Sequence, residues 1–320
     1  SAIGNAGAWT VGLNLSGDQT LPDGEDISGL FSAETGCLLF QRKKNRILSI
    51  TTSVDYPFAI NVVNASRGVI APYSMTGIGP DLLGYLSADG FCLGIDGRTI
   101  GTERVDRWFF DTIDQSKVQD VRGAIDPYKK CFYWQATKPD STKFMLGYAW
   151  AVGPEGRWFY SDQNTELLVD LVTPSVSFDG MDALVASWDA ATMAWNSRLL
   201  IGGSPSFAGF NSTYQLGFFT GAPMAAQLDT GRVWLSKPRR SFVTGARVIT
   251  DAASHTLKFG GADIHGEDIT FGSAVTVNAI GKCDKRIDAL EHQFRLDIAA
   301  GADWTHVDGV IPDFRASGFR

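Results

Sequence analysis

Four histidines, His255, His265, His292 and His306, are the side chains best suited to proton transfer near neutral pH, and all lie in the last quarter of the chain. None has the i, i+4 histidine or the nearby cysteine that a zinc site requires. Glu291 directly precedes His292, and Glu267 follows His265 by two positions. An acid–base pair needs both groups on one side of the backbone. Neighbours in a strand point to opposite faces, so Glu291 and His292 are expected to act separately, and the histidines are expected at the surface. There is no Gly-x-Ser-x-Gly elbow, and Gly77-Ile78-Gly79 lacks the lysine and the strand-to-helix setting of a phosphate loop. Asp111 with Asp114, and Asp179 with Asp182, sit among turn residues, where aspartate accepts from backbone N–H groups. No catalytic, cofactor-binding or metal-ligating residue is assigned on this reading, no cofactor is implied, and the chain is expected not to be an enzyme.

Carbohydrate chemistry is the alternative. Ser87-Ala88-Asp89-Gly90 and Ser177-Phe178-Asp179-Gly180 are faint echoes of the Ser-x-Asp-x-Gly turn of sialidase propellers, but the glycine comes one position early and the following tryptophan is missing. Arg98, Arg104 and Arg107 supply charge, although their alternation with loop residues reads as ordinary strand edges. Phe207, Phe210 and Tyr214 flank a Gly/Ser/Pro loop from 202 to 212 and read as loop packing rather than a sugar platform. A glycan-binding or receptor-binding module, and less readily a sialidase-like hydrolase, therefore stand as alternatives.

These residues must be positioned by strands. Val121–Ile125, Lys130–Trp134, Lys143–Trp150 and Arg157–Tyr160 are aromatic or β-branched runs bounded by Pro, Gly or Asp, and together they read as one four-stranded meander. Its pieces recur. Arg107-Trp108-Phe109-Phe110 stands fifty positions before Arg157-Trp158-Phe159-Tyr160. Leu82–Leu86 with Phe91–Ile95, and Gly36–Phe40 with Asn45–Ile50, repeat the central hairpin. A period of about 45 to 50 residues built of strands, with no long 3.6-residue pattern, belongs to propeller blades. A further hairpin is expected over Leu184–Ile201 and a further strand over Tyr214–Phe219. After about residue 225 the strands lengthen, over Ser241–Thr250, Ile269–Ile280 and Leu290–Ile298. The fold is therefore read as all-β: a propeller-like repeat of four-stranded blades over residues 1–225, then a β-sandwich-like region over 226–320.

Composition agrees with that class. The 320 residues carry 44% apolar content, 35 glycines and 12 prolines, which suits a large core and many tight turns. A net charge of −7 argues against a surface built to grip nucleic acid; Arg42-Lys43-Lys44 and Lys237-Pro238-Arg239-Arg240 read as solvated turns. Cys37, Cys92, Cys131 and Cys283 form no close pair, so neither disulfides nor zinc are expected, and folding in a reducing cytoplasm is the simpler assumption. No run approaches the length of a membrane span.

The closing stretch, with Arg286-Ile287-Asp288-Ala289, Phe294-Arg295-Leu296-Asp297-Ile298, Ala300–His306 and Gly309–Gly318, resembles the C-terminal end of tail nozzle proteins of short-tailed bacteriophages. Gly68–Pro72, Ser87–Phe91, Val105–Phe109 and Asp126-Pro127-Tyr128 before Cys131–Trp134 are similar to propeller segments of that family. The resemblance implies a structural virion component, assembled in the host cytoplasm, in a homo-oligomeric ring of six subunits. Its partners would be the tail adaptor and the fibre or spike proteins, and double-stranded DNA would pass through its channel. Nozzle chains are generally longer, with additional N-terminal and tip regions. An acidic channel wall would keep a passing duplex from sticking. Nine tryptophans and twenty phenylalanines exceed the needs of one propeller interior, so part of the surplus is expected between subunits, with the C-terminal region as the contact element.

Overall fold

The computed structural model of the chain describes residues 7, 10, 21, 23, 25–33, 36–52, 58–152, 155–163, 165–172, 205–219 and 221–318. The hairpin expected over Leu184–Ile201 and the Ser177–Gly180 turn lie outside the described residues. The chain divides into two compact units, Ser1–Phe219 and Thr220–Arg320.

The first unit is a series of antiparallel meanders. β1 (Ile27–Ala33), β2 (Gly36–Gln41), β3 (Asn45–Ile50) and β4 (Phe58–Asn64) form the first sheet, paired in chain order. β5 (Thr76–Gly77), β6 (Leu83–Ser87), β7 (Gly90–Leu93) and β8 (Arg98–Thr99) form the second. Helix α1 (Glu103–Thr112) follows, and then the third sheet: β9 (Arg122–Asp126), β10 (Cys131–Thr137), β11 (Lys143–Ala149) and β12 (Arg157–Ser161). β13 (Leu167–Val172), β14 (Pro205–Phe210) and β15 (Leu216–Phe218) make a further sheet of three.

Period-two alternation packs each sheet on the next. In β10, Phe132, Trp134 and Ala136 join a core with Leu86, Phe91 and Leu93 of the second sheet. Tyr133 faces the other way and stacks on Phe207 of β14, with ring centroids 4.3 Å apart. The second sheet behaves alike, since Leu83, Tyr85 and Cys92 pack with Leu38 and Phe40 of β2. A sheet with two apolar faces must be covered on both sides, and serial stacking of four-stranded sheets does this in propeller-like folds. At Gly84 a Cβ would come within 2.8 Å of the Trp134 ring, so the close approach of the second and third sheets needs glycine there.

Arg107–Phe110 departs from the expected repeat. It lies in α1 rather than in a strand matching Arg157–Tyr160, and the short β8 closes the second sheet instead. The reason is local. Thr102 caps the helix by accepting from the Val105 N–H, and Glu103 and Asp106 place negative charge in the first turn. Asp106, Phe109 and Ile113 then fall on one buried face, with Phe109 edge-on to Phe91 at 4.8 Å. Pro205–Phe210 is likewise strand β14, not loop, because its Phe207 fills the space between Tyr133 and Phe219.

The second unit is sandwich-like. β16 (Ala226–Asp229), β17 (Ser241–Thr250), β18 (Thr256–Ala262), β19 (Thr270–Phe271), β20 (Val275–Thr276), β21 (Cys283–Ala289), β22 (Glu291–Ile298) and β23 (Val307–Ala316) form two sheets. One runs β16-β22-β18-β19, with β20 also on β18; the other runs β21-β17-β23. Leu257 and Phe259 of β18 with Phe294, Leu296 and Ile298 of β22 meet Val243, Ala246 and Cys283 of the facing sheet. Alternation along β22 leaves Gln293, Arg295 and Asp297 less buried than these residues.

Candidate functional site

One polar feature of the first unit is a cleft of about 470 Å³ between β8, with the segment leading into α1, and the turn from β11 to β12. Its walls are fixed by cross-ties. Tyr148 donates through its hydroxyl to the Glu155 carbonyl at 2.9 Å, and Trp158 donates through Nε1 to the Ile100 carbonyl at 3.0 Å. Gly156 has φ +71, and a Cβ there would meet the Tyr148 ring at 2.5 Å, so only glycine lets the turn lie over that ring. Arg98, Arg157 and Glu155 line the opening. Among the described residues neither guanidinium pairs with a carboxylate; the hydrogen bond of Arg157 goes to the Gly156 carbonyl at 3.0 Å. Burial raises the Tyr148 phenol above its usual range, with Arg98 acting in the opposite direction.

A second cleft of about 550 Å³, lined by Lys117, Arg122, Lys143, Asp120 and Glu166, carries more charge but is largely neutralised from within. Lys143 pairs with Glu166, Lys117 lies 4.0 Å from Asp114, and Arg122 sits over the Tyr73 ring at 4.9 Å. Gln135, buried at its base, donates to the Thr165 hydroxyl at 2.7 Å.

The histidines divide into two kinds. His265 and His306 are exposed, while His255 and His292 are buried, against the expectation that all four are surface groups. Glu291 pairs with His265 at 2.5 Å rather than with its neighbour His292, which fits opposite orientation of adjacent strand residues. His292 Nε2 lies 2.9 Å from the Ser241 hydroxyl between the two sheets, and burial depresses its pKa. Arg232 approaches Glu291 at 3.9 Å. Among the described residues no group of three His, Cys, Asp or Glu side chains gathers to hold a metal.

Several of the other candidates have structural partners, while Asp179 and Asp182 lie outside the described residues. Asp89, in the Ser87–Gly90 turn, pairs with Arg67 at 2.7 Å; Asp114 accepts from Ser116 N–H, and Asp111 lies 3.9 Å from Arg107. Lys44 reaches Asp23 at 2.8 Å and Arg240 reaches Asp263 at 2.6 Å and Asp288 at 3.4 Å, so neither basic cluster is wholly solvated. Lys44 first, then Arg46 and Gln41, hold the Asp23 carboxyl far below the usual carboxylate range, against the effect of burial. All four cysteines are free, and burial pushes the Cys92 thiol up to about 12. Tyr214 is exposed, away from the stacked pair Tyr133 and Phe207. No described helix is long and apolar enough to cross a membrane.

Sequence reasoning missed two features: the Arg98/Arg157 cleft, which joins residues fifty-nine positions apart, and α1. The Thr102 cap with Glu103 and Asp106 behind it was the available signal for the helix.

No family model matches the chain, and no curated protein matches it. A solved structure titled "Glycoside hydrolase" aligns with 89% of this chain and 83% of that chain, at 9% identity and a TM-score of 0.24. The expectation that the chain is not an enzyme is overturned by that finding and is withdrawn. At this TM-score the likeness assigns the chain no activity.

Proposed function

We propose that the chain is a structural subunit of a ring-forming assembly of the tail-nozzle kind, in the virion of a short-tailed bacteriophage. The ring would enclose the DNA exit channel and help to retain and then release the genome. The observation that supports this reading is apolar surface left on edge strands. β4 ends the first sheet with Phe58, Val62 and Val63 exposed, and β23 ends its sheet with Ile311 54% and Phe314 46% exposed. Solitary exposed apolar residues are ordinary, but several on an unpaired edge call for a covering partner. An obligate ring interface would cover them over more than about 2,000 Å². The resemblance of the closing stretch to nozzle proteins supplies the kind of assembly, with six subunits, a tail adaptor and fibre or spike proteins as neighbours.

Deleting Leu290–Arg320 is a poor test of this contact, because it removes β22 and with it Phe294, Leu296 and Ile298 from the core. Paired substitutions Ile311→Lys and Phe314→Lys leave that core intact. Light scattering over a range of concentrations, alone and with a candidate tail adaptor, is expected to give a ring mass for the wild type and a smaller species for the variant. A wild-type monomer that ignores the adaptor would overturn the proposal.

A further inference from the structure

The cleft between β8 and β12 holds two arginines without an acidic partner among the described residues, in a chain whose net charge is −7. Elsewhere in the described structure Arg46, Arg67, Arg240 and Arg295 are each paired with an aspartate at 2.7 Å or less. Guanidinium groups match planar anions through paired N–H donors, so Arg98 and Arg157 offer two such forks to a ligand. Beside them stand the Glu155 carboxylate, which accepts from hydroxyl groups, the Thr99 and Thr102 hydroxyls, and the indole of Trp158.

We propose that this cleft binds a carboxylated saccharide, with the arginines holding the carboxylate and Glu155 and the threonines holding ring hydroxyls. The volume of about 470 Å³ lies within the range of small-ligand sites and suits a ligand of one or two sugar rings. Duplex DNA is a poor fit. It needs a stripe of cations along a surface, whereas this cleft has two cations and a carboxylate that repels phosphodiesters. The hydrogen bonds of Tyr148 and Trp158 hold both walls in place before any ligand arrives, which lowers the ordering cost of binding. This site is separate from the edge strands of the ring proposal and stands or falls without them.

Titration calorimetry on the full chain tests it, with a hexuronic acid trisaccharide, a neutral glucose trisaccharide and inorganic phosphate as probes. Saturable binding of the acidic trisaccharide alone is expected. Arg98→Ala and Arg157→Ala, both at exposed positions, should each weaken it roughly ten- to hundredfold. Arg42→Ala, on the β2–β3 turn, should leave it unchanged. Circular dichroism confirms that each variant is folded. Failure of the acidic trisaccharide to bind, phosphate binding of equal strength, or full affinity in both folded cleft variants would overturn the proposal.

Discussion

In the first unit the buried side-chain ties from one sheet to the next come from neutral donors, whereas in the second unit a buried tie between the sheets is an ionisable histidine. Asn45 of β3 donates to the Tyr85 hydroxyl of β6 at 2.8 Å, and Trp134 of β10 donates to the Ser74 carbonyl at 3.0 Å. Across the second unit's sandwich, His292 of β22 meets Ser241 of β17, and Arg240 bridges Asp263 and Asp288. The cores differ too. Phe91, Phe109, Phe132, Trp134 and Phe144 fill the first, while Phe259 and Phe294 are the buried aromatics of a largely aliphatic second. Neutral ties hold at any ordinary pH, so the two units should answer acid differently. Among the described residues of the first unit two acids are buried, Asp106 and Asp126, and the response of Asp106 has the opposite sign to that of His292.

The largest expected effect lies in the aromatic core. Trp134→Ala removes the ring that touches Phe91, Phe132 and Trp158 and also its bond to Ser74, and should cost about 3–5 kcal/mol in denaturant unfolding. A loss under about 1 kcal/mol would mean that the stacked sheets do not depend on this contact.

Asp106 comes next. Burial raises its carboxyl from an ordinary 3.8 to about 6, although it accepts from the Phe91 N–H at 3.2 Å. Between those values the folded state holds the proton more tightly than the unfolded chain does, so stability falls as pH rises from 3.8 to 6, and the penalty is complete above 6. Asp106→Asn keeps an acceptor and removes the charge. It should stabilise by roughly 2–3 kcal/mol at pH 8 and by almost nothing below pH 4, as read from urea midpoints at both pH values.

His292 should run the other way. Burial lowers its folded pKa below the ordinary 6.5, so the unfolded chain takes up the proton first. Its contribution is present above 6.5 and is lost as pH falls from there toward the lower folded value. His292→Gln should remove this acid sensitivity, seen as a flatter dependence of second-unit amide exchange on pH between 5 and 7. An unchanged slope would mean that His292 is not the source of that sensitivity. The smallest effect is expected from Tyr85→Phe, which removes one neutral tie and should cost about 1 kcal/mol by urea unfolding.

Most of the strand pattern was legible in the sequence because turns and alternation are local. Asp126-Pro127 and Gly153–Gly156 bracket runs that became β9–β12, and the hairpins at Gly36–Ile50 and Leu83–Leu93 appear where period two placed them. The misreading at Arg107–Phe110 shows the limit of likeness between short motifs. Arg-Trp-Phe fits a strand at Arg157 and a helix at Arg107, and the Thr102 cap decides the second case. The Gly/Ser/Pro surroundings of Phe207 point to a loop, although its stacking partner Tyr133 lies far away in sequence. The candidate cleft was hidden for the same reason. Arg98 and Arg157 belong to different sheets, and only the packing of those sheets brings them to one opening.

The central claim is that the outer strands are covered in the working assembly. Single-particle imaging of the wild-type chain with its tail adaptor tests this most directly. The account predicts a closed ring with a central channel, its subunits meeting through β4 or β23. Separate monomers, or a ring that leaves both strands exposed to solvent, would contradict it.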